Sequence, residues 1–234
     1  MNAHHPAGSR RGPAPVPARD IHADDVLRFY TAVADELRGP INALAGWVEI
    51  LAAGDREANR EALTSARQAL HRLRRLADDA HDSAAVVLGE LTVQRRPVDL
   101  AALVQGVVAS VPGARTGDVE AVTVAGDSAR LAQILDTLLR AVATGDAVAV
   151  TLRRRGPWAE LTLAHDKVVP FEALEGLFGS FSRPPGPDDD AVGLFVCRAL
   201  VVAHGGDIGV GSEKGLTAVW VDLPLAGGDA EPEG

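Results

Sequence analysis

The sequence predicts an α+β protein: a long antiparallel helical hairpin, then an α/β sandwich in which helices cover one face of a mixed sheet. Three observations predict it. Apolar residues step by three and four through Val26, Tyr30, Val33, Leu37, Ile41, Leu44, Val48 and Leu51, which is one buried stripe on a helix. After Gly54-Asp55 a second run, Leu63, Ala66, Leu70, Leu73, Ala77, Ala80, Ala84 and Val87, keeps a heptad spacing. From Gly89 the pattern changes to short alternating runs and capped helices.

Residues 1–22 are rich in Pro, Ala, Gly and Arg without periodicity and read as a disordered leader. Residues 23–88 form the hairpin. Pro40 removes a backbone donor and bends the first helix unless packing tolerates it. Asp35 and Glu36 form an outward acidic pair one turn before it. A hairpin with one apolar stripe per helix buries too little alone, so pairing of two copies into a four-helix bundle is expected. Arg72, Arg74 and Arg75 lie off the second seam, as a solvated face or a docking surface. Residues 89–225 form the sandwich: a short strand at Leu91–Gln94, a helix opened by Val98-Asp99-Leu100 and running to about Val111 with Asp99 as its N-cap, and a strand at Val119–Val124. A helix over Leu131–Ala143 follows, capped by Asp127 or Ser128. The hairpin Ala147–Arg153 and Trp158–Leu163 turns at Gly156-Pro157. A last helix, Gly193–His204, is ended by Gly205-Gly206, and strands Ile208–Val210 and Thr217–Leu223 close the sheet. Residues 226–234 are an acidic tail.

The composition narrows the function. The chain has 234 residues, 47% of them hydrophobic, and a net charge of −9. No apolar run reaches the ~20 residues of a membrane span, and no secretory signal is visible, so a cytoplasmic protein is expected. The negative balance argues against nucleic acid as a partner. Cys197 is the lone cysteine, which excludes a disulfide framework and reads as a small buried hydrophobe. The 2 lysines against 21 arginines reflect genome composition.

The string Asp35-Glu36-Leu37-Arg38-Gly39-Pro40-Ile41 resembles the phosphoacceptor box of two-component sensor histidine kinases, roughly His-Glu-Leu-Arg-Thr-Pro-Leu. Asp35 stands at the phosphorylated histidine and Gly39 at the polar residue that positions water for dephosphorylation. The later chain resembles the catalytic ATP-binding domain of that family. Gly126-Asp127 with Arg130-Leu131 and Gln133-Ile134-Leu135 resemble the lead-in to its N-box. Phe178 and Phe181 resemble its F-box, and Gly193-Leu194 through His204-Gly205-Gly206 match its Gly-Leu…His-Gly-Gly spacing.

The resemblance implies a nucleotide site at Thr137, Ala141, Asp166, Gly193 and Leu194, and each position can be weighed. Thr137 and Ala141 replace the N-box asparagines that serve magnesium, and Ala141 offers no ligand. Asp166 remains to accept from adenine, but Lys167–Pro170 lack the G1 glycines. Of the three G2 glycines only Gly193 survives, beside Asp189 and Ala191. Asp188, Asp189 and Asp190 would repel a triphosphate. The expectation is a homodimeric, pseudokinase-like protein without phosphotransfer, needing neither ATP nor metal. It would bind a response-regulator receiver domain or another histidine kinase through Asp35, Arg38, Arg72, Arg74 and Arg75. The alternative is a weak ATP- and Mg-dependent kinase or phosphotransferase using His71 or His81. A plain scaffold is a third reading.

Overall fold

The computed structural model describes residues 23–53, 56–142, 147–165, 191–213 and 216–227. The expected leader, the tail from residue 228, Phe178, Phe181, Asp166 and the segment 167–190 lie outside the described residues. Two compact units are present. One holds the helical hairpin, with the start of the last helix up to Val196 grouped with it; the other holds the sheet. Among the described residues, no helix is long and apolar enough to cross a membrane.

In the helical unit, α1 (Ala23–Ala52) is continuous across Pro40, which is buried, so packing tolerates the missing donor. α2 (Arg56–Leu88) returns alongside it. The inward stripe of α2 is one residue out of step with the expected seam: Ala62, Ala69, Leu76 and Ser83 are buried, each seven residues from the last. Leu76 packs against Val33 and Leu37. Leu63 and Leu70, expected in the hairpin seam, are 47% and 44% exposed. α2 therefore carries two adjacent stripes. Small residues let it approach α1, and larger ones remain uncovered beside them, as do Ile41 and Val48 on α1.

The sheet unit opens with β1 (Arg96–Asp99), antiparallel to β3 (Thr123–Gly126). The strand expected at Leu91–Gln94 is absent; the ladder forms five residues later, where buried Val98 faces buried Val124. α3 (Leu100–Ser110) follows, and Asp99 caps it by accepting the Ala102 N–H at 3.0 Å. The single strand expected over Val119–Val124 is two: β2 (Ala114–Val119) ends where that run begins, and β3 starts at Thr123. β2 has no apolar alternation of its own. It is set by parallel pairing with β4 (Val148–Arg155), information carried by the partner strand.

α4 (Ser128–Val142) buries Leu131, Ile134, Leu135, Leu138, Leu139 and Val142 on one face. β4 turns at Gly156, with φ of +58°, into β5 (Trp158–His165). α5 (Ala191–Ala203) leads to β6 (Asp207–Glu213) and β7 (Leu216–Pro224). The five-stranded sheet has the order β2-β4-β5-β7-β6, with β2–β4 parallel and the other pairs antiparallel. Val150, Leu152, Leu161, Leu163, Val219 and Val221 turn into the core. On the opposite face Trp220 crosses Gly209, where a Cβ would lie 2.2 Å from the indole.

Candidate functional site

The box residues occupy the middle of α1. Asp35 is half exposed and forms an ion pair with Arg38, whose side chain is 74% exposed. One helical turn separates them, so the pair follows from the i, i+3 spacing. Glu36 does not join Asp35 on the outside: it is half-buried, with Oε1 removed from solvent. Leu37 points inward onto Leu76, which sets the box and the α2 arginines at one level of the hairpin. Those arginines do not share a face. At ~100° per residue, Arg74 lies about 200° from Leu76, opposite the packed stripe, while Arg72 lies ~40° from it. Arg72 and Arg74 are exposed and Arg75 is half-buried. His71 and His81 are both exposed. Gly39 is exposed, and a Cβ there would meet nothing within 4 Å, so space does not dictate the glycine.

In the sheet unit, α4 is started by Asp127 rather than Ser128. Asp127 Oδ1 accepts the N–H groups of Ala129 and Arg130 at 3.1 and 3.3 Å, and Oδ2 accepts that of Gln94 at 3.2 Å. Burial works to raise its carboxyl, but the N–H donors of Gln94, Arg130 and Ala129, with the Arg130 guanidinium, hold it below the ordinary value. α4 and α5 run antiparallel, tied at Asp127–His204 and, further along, where Cys197 Sγ lies 3.9 Å from Ile134 O. Thr137 and Ala141 are half-buried, one and two turns beyond Ile134. Gly193 and Leu194 are buried, about one turn before Cys197 on α5. Ala141 has no side-chain oxygen to offer a cation, and Thr137 offers a single hydroxyl in place of an amide oxygen. Among the described residues, no group of three His, Cys, Asp or Glu side chains could hold a metal.

The family of histidine kinase-, DNA gyrase B- and HSP90-like ATPases matches residues 126–227, from the last residue of β3 to just past β7. The signal transduction histidine-protein kinase BaeS of Escherichia coli is 30% identical over 216 residues, covering 84% of this chain and 46% of BaeS. The chain belongs to the two-component sensor histidine kinase family. It spans about half the length of the relatives it matches, 46% of one and 49% of another. The histidine kinase AdeS of Acinetobacter baumannii shares the fold, with a TM-score of 0.62 at 20% identity over 81% of this chain and 97% of the solved AdeS chain. So does the histidine kinase ThkA in its complex with the response regulator protein TrrA, with a TM-score of 0.61 at 19% identity over 87% of this chain and 63% of the solved ThkA chain.

Within this histidine kinase fold, one polar cluster was not singled out from the sequence. His204, 1% exposed, accepts the Asp127 N–H at Nε2, 3.0 Å away, while Arg95 Nη2 donates to Ala203 O at 2.8 Å. The signal was present in the Gly-Asp and His-Gly-Gly strings, but 77 residues separate the partners. Only pairing of helix ends in space joins them.

Proposed function

We propose that this chain is a pseudokinase of two-component signalling: a homodimer that binds a receiver domain or a partner kinase without transferring phosphate. The observation that carries the reading is the carboxylate at the phosphoacceptor position, half exposed and ion-paired to Arg38. A carboxylate can accept a phosphoryl group, but it normally needs a metal to neutralise charge. Asp35 is held instead by a guanidinium on its own helix. Ala141, at the magnesium position, points the same way. The ThkA–TrrA complex supports a response regulator as the class of partner for this fold. The uncovered Leu63, Leu70, Ile41 and Val48 support a second copy as the cover for the hairpin.

Docking is then a matter of surface shape and of Arg74, which stands off the hairpin, more than of Arg38, whose charge is offset by Asp35. The test pairs calorimetry with radiolabelled ATP on the wild type, Asp35→His, and Asp35→His with Gly39→Thr. The reading expects no labelling of any variant, no tight magnesium-dependent nucleotide binding, and retained binding of a receiver domain. Labelling of the wild type would overturn it. Loss of that label in His71→Ala or His81→Ala would establish the alternative, which rests on both histidines being exposed on α2.

A further inference from the structure

His204 has no part in the reading above, yet its surroundings are unusually well defined. With Nε2 accepting from Asp127, the ring proton sits on Nδ1, which donates to Leu200 O at 2.7 Å; the buried ring is therefore neutral. Gly126 closes over it: a Cβ there would lie 3.1 Å from His204 Cδ2. The connector between α2 and β1 arrives at the same place. Gln94 donates to the Asp127 carboxylate, and Arg95 donates to the carbonyl of Ala203, the residue before the histidine. All these groups lie within the sheet unit.

We propose that Gln94, Arg95, Asp127 and His204 form a proton-sensitive latch, which fastens the connector behind the hairpin to the ends of α4 and α5 and releases it when His204 is protonated. A proton on Nε2 sets two donors face to face, Nε2–H against the Asp127 N–H. The Asp127 carboxylate is the acceptor at hand, and its oxygens already serve Gln94, Ala129 and Arg130. If it turns to the imidazolium, the connector or the helix cap loses its acceptor. If it does not, a buried cation is left unpaired. Either way the fastening weakens.

The groups that act on the ring come from each neighbouring element. Burial is the largest influence and disfavours the charged ring; the Leu200 carbonyl favours it, Arg95 from the connector opposes it, and Asp127 from α4 favours it. The balance holds His204 below the ordinary 6.5. The released form therefore takes its proton first. Closure is complete above about pH 6.5 and is lost as the pH falls toward the depressed value of the closed form.

Hydrogen exchange on the full chain, corrected for intrinsic rates, tests this between about pH 7.5 and 5.5. His204→Gln is the matched variant, because its Oε1 offers an acceptor near the Nε2 position and does not titrate. In the wild type, protection at the Gln94 and Asp127 amides should fall by up to about tenfold per unit of pKa depression. In His204→Gln it should not change with pH. A wild type insensitive to pH, or a variant equally sensitive, overturns the latch. Should His204→Gln fail to fold, imidazole nitrogen shifts of the wild type decide. The latch requires the Nδ1–H tautomer and a midpoint below the ordinary value; the other tautomer or an ordinary midpoint overturns it.

Discussion

Gly206 shows how a single residue carries the end of a helix. Gly205 takes φ of +78°, and the N–H groups of Gly205 and Gly206 return to Val202 O and Val201 O at 2.8 and 3.0 Å. This reversal turns the chain from α5 into β6. A Cβ on Gly206 would stand 2.3 Å from Asp222 O, a backbone atom that no rotamer change moves. Gly206→Ala is expected to cost about 1–3 kcal/mol, read as a lower denaturant midpoint at unchanged slope. The Asp35–Arg38 pair is the opposite case. It decorates the candidate site but is exposed, so Asp35→Ala should shift stability by less than about 1 kcal/mol in the same measurement. A residue central to a functional reading can thus be nearly silent in folding.

At the scale of elements, α4 depends on its first turn. Asp127→Ala removes the acceptor for two helix N–H groups and for Gln94, and is expected to cost about 1–2 kcal/mol. Its pH signature is distinct from that of His204. The Asp127 carboxyl is held below its ordinary 3.8, so its contribution is present above that value and lost as the pH falls through the folded one. Acid unfolding of the wild type should therefore sharpen as the pH falls below 3.8, and this part should be missing in the variant. The two stripes of α2 separate in the same way. Leu76→Asp puts an unpaired charge against Val33 and Leu37, with an expected loss of about 3–5 kcal/mol and of helical circular dichroism. Leu70, 44% exposed, should tolerate aspartate within one chain; its variant should keep its helices and sediment as a monomer.

The whole molecule adds the question of where one unit stops. The contact boundary falls between Leu91 and Thr92, and the first bonds of the sheet unit come from Gln94 and Arg95, ahead of any strand. A fragment beginning at Glu90 should be more stable than one beginning at Arg96, by about 1–3 kcal/mol, because the shorter piece leaves the Asp127 carboxylate and the Ala203 carbonyl without these donors. Equal melting of the two fragments would show the connector to be passive. In the uncut chain the same bonds make the connector part of the sheet unit.

Much of this architecture was legible in the sequence, because periodicity, caps and turns are local. The stepping of Val33, Leu37, Leu70 and Leu73 marked both long helices, Asp99 and the pair Asp127-Ser128 marked two helix starts, and Gly205-Gly206 marked a helix end. The ordered box from Asp35 to Ile41 and the spacing from Gly193 to Gly206 pointed to the family. What the tertiary structure alone decided was which of two adjacent heptad stripes faces α1: a one-residue offset rotates a helix by about 100°, and both stripes are mostly apolar, Ser83 being the polar member of the inward one. It also decided β2, whose residues carry no strand pattern and are held by β4, and the start of β1, chosen by the Val98–Val124 pairing. His204 followed the same rule. Its burial and neutral state arise because the start of α4 and the end of α5 meet, and no local pattern records a hydrogen bond between residues 77 positions apart.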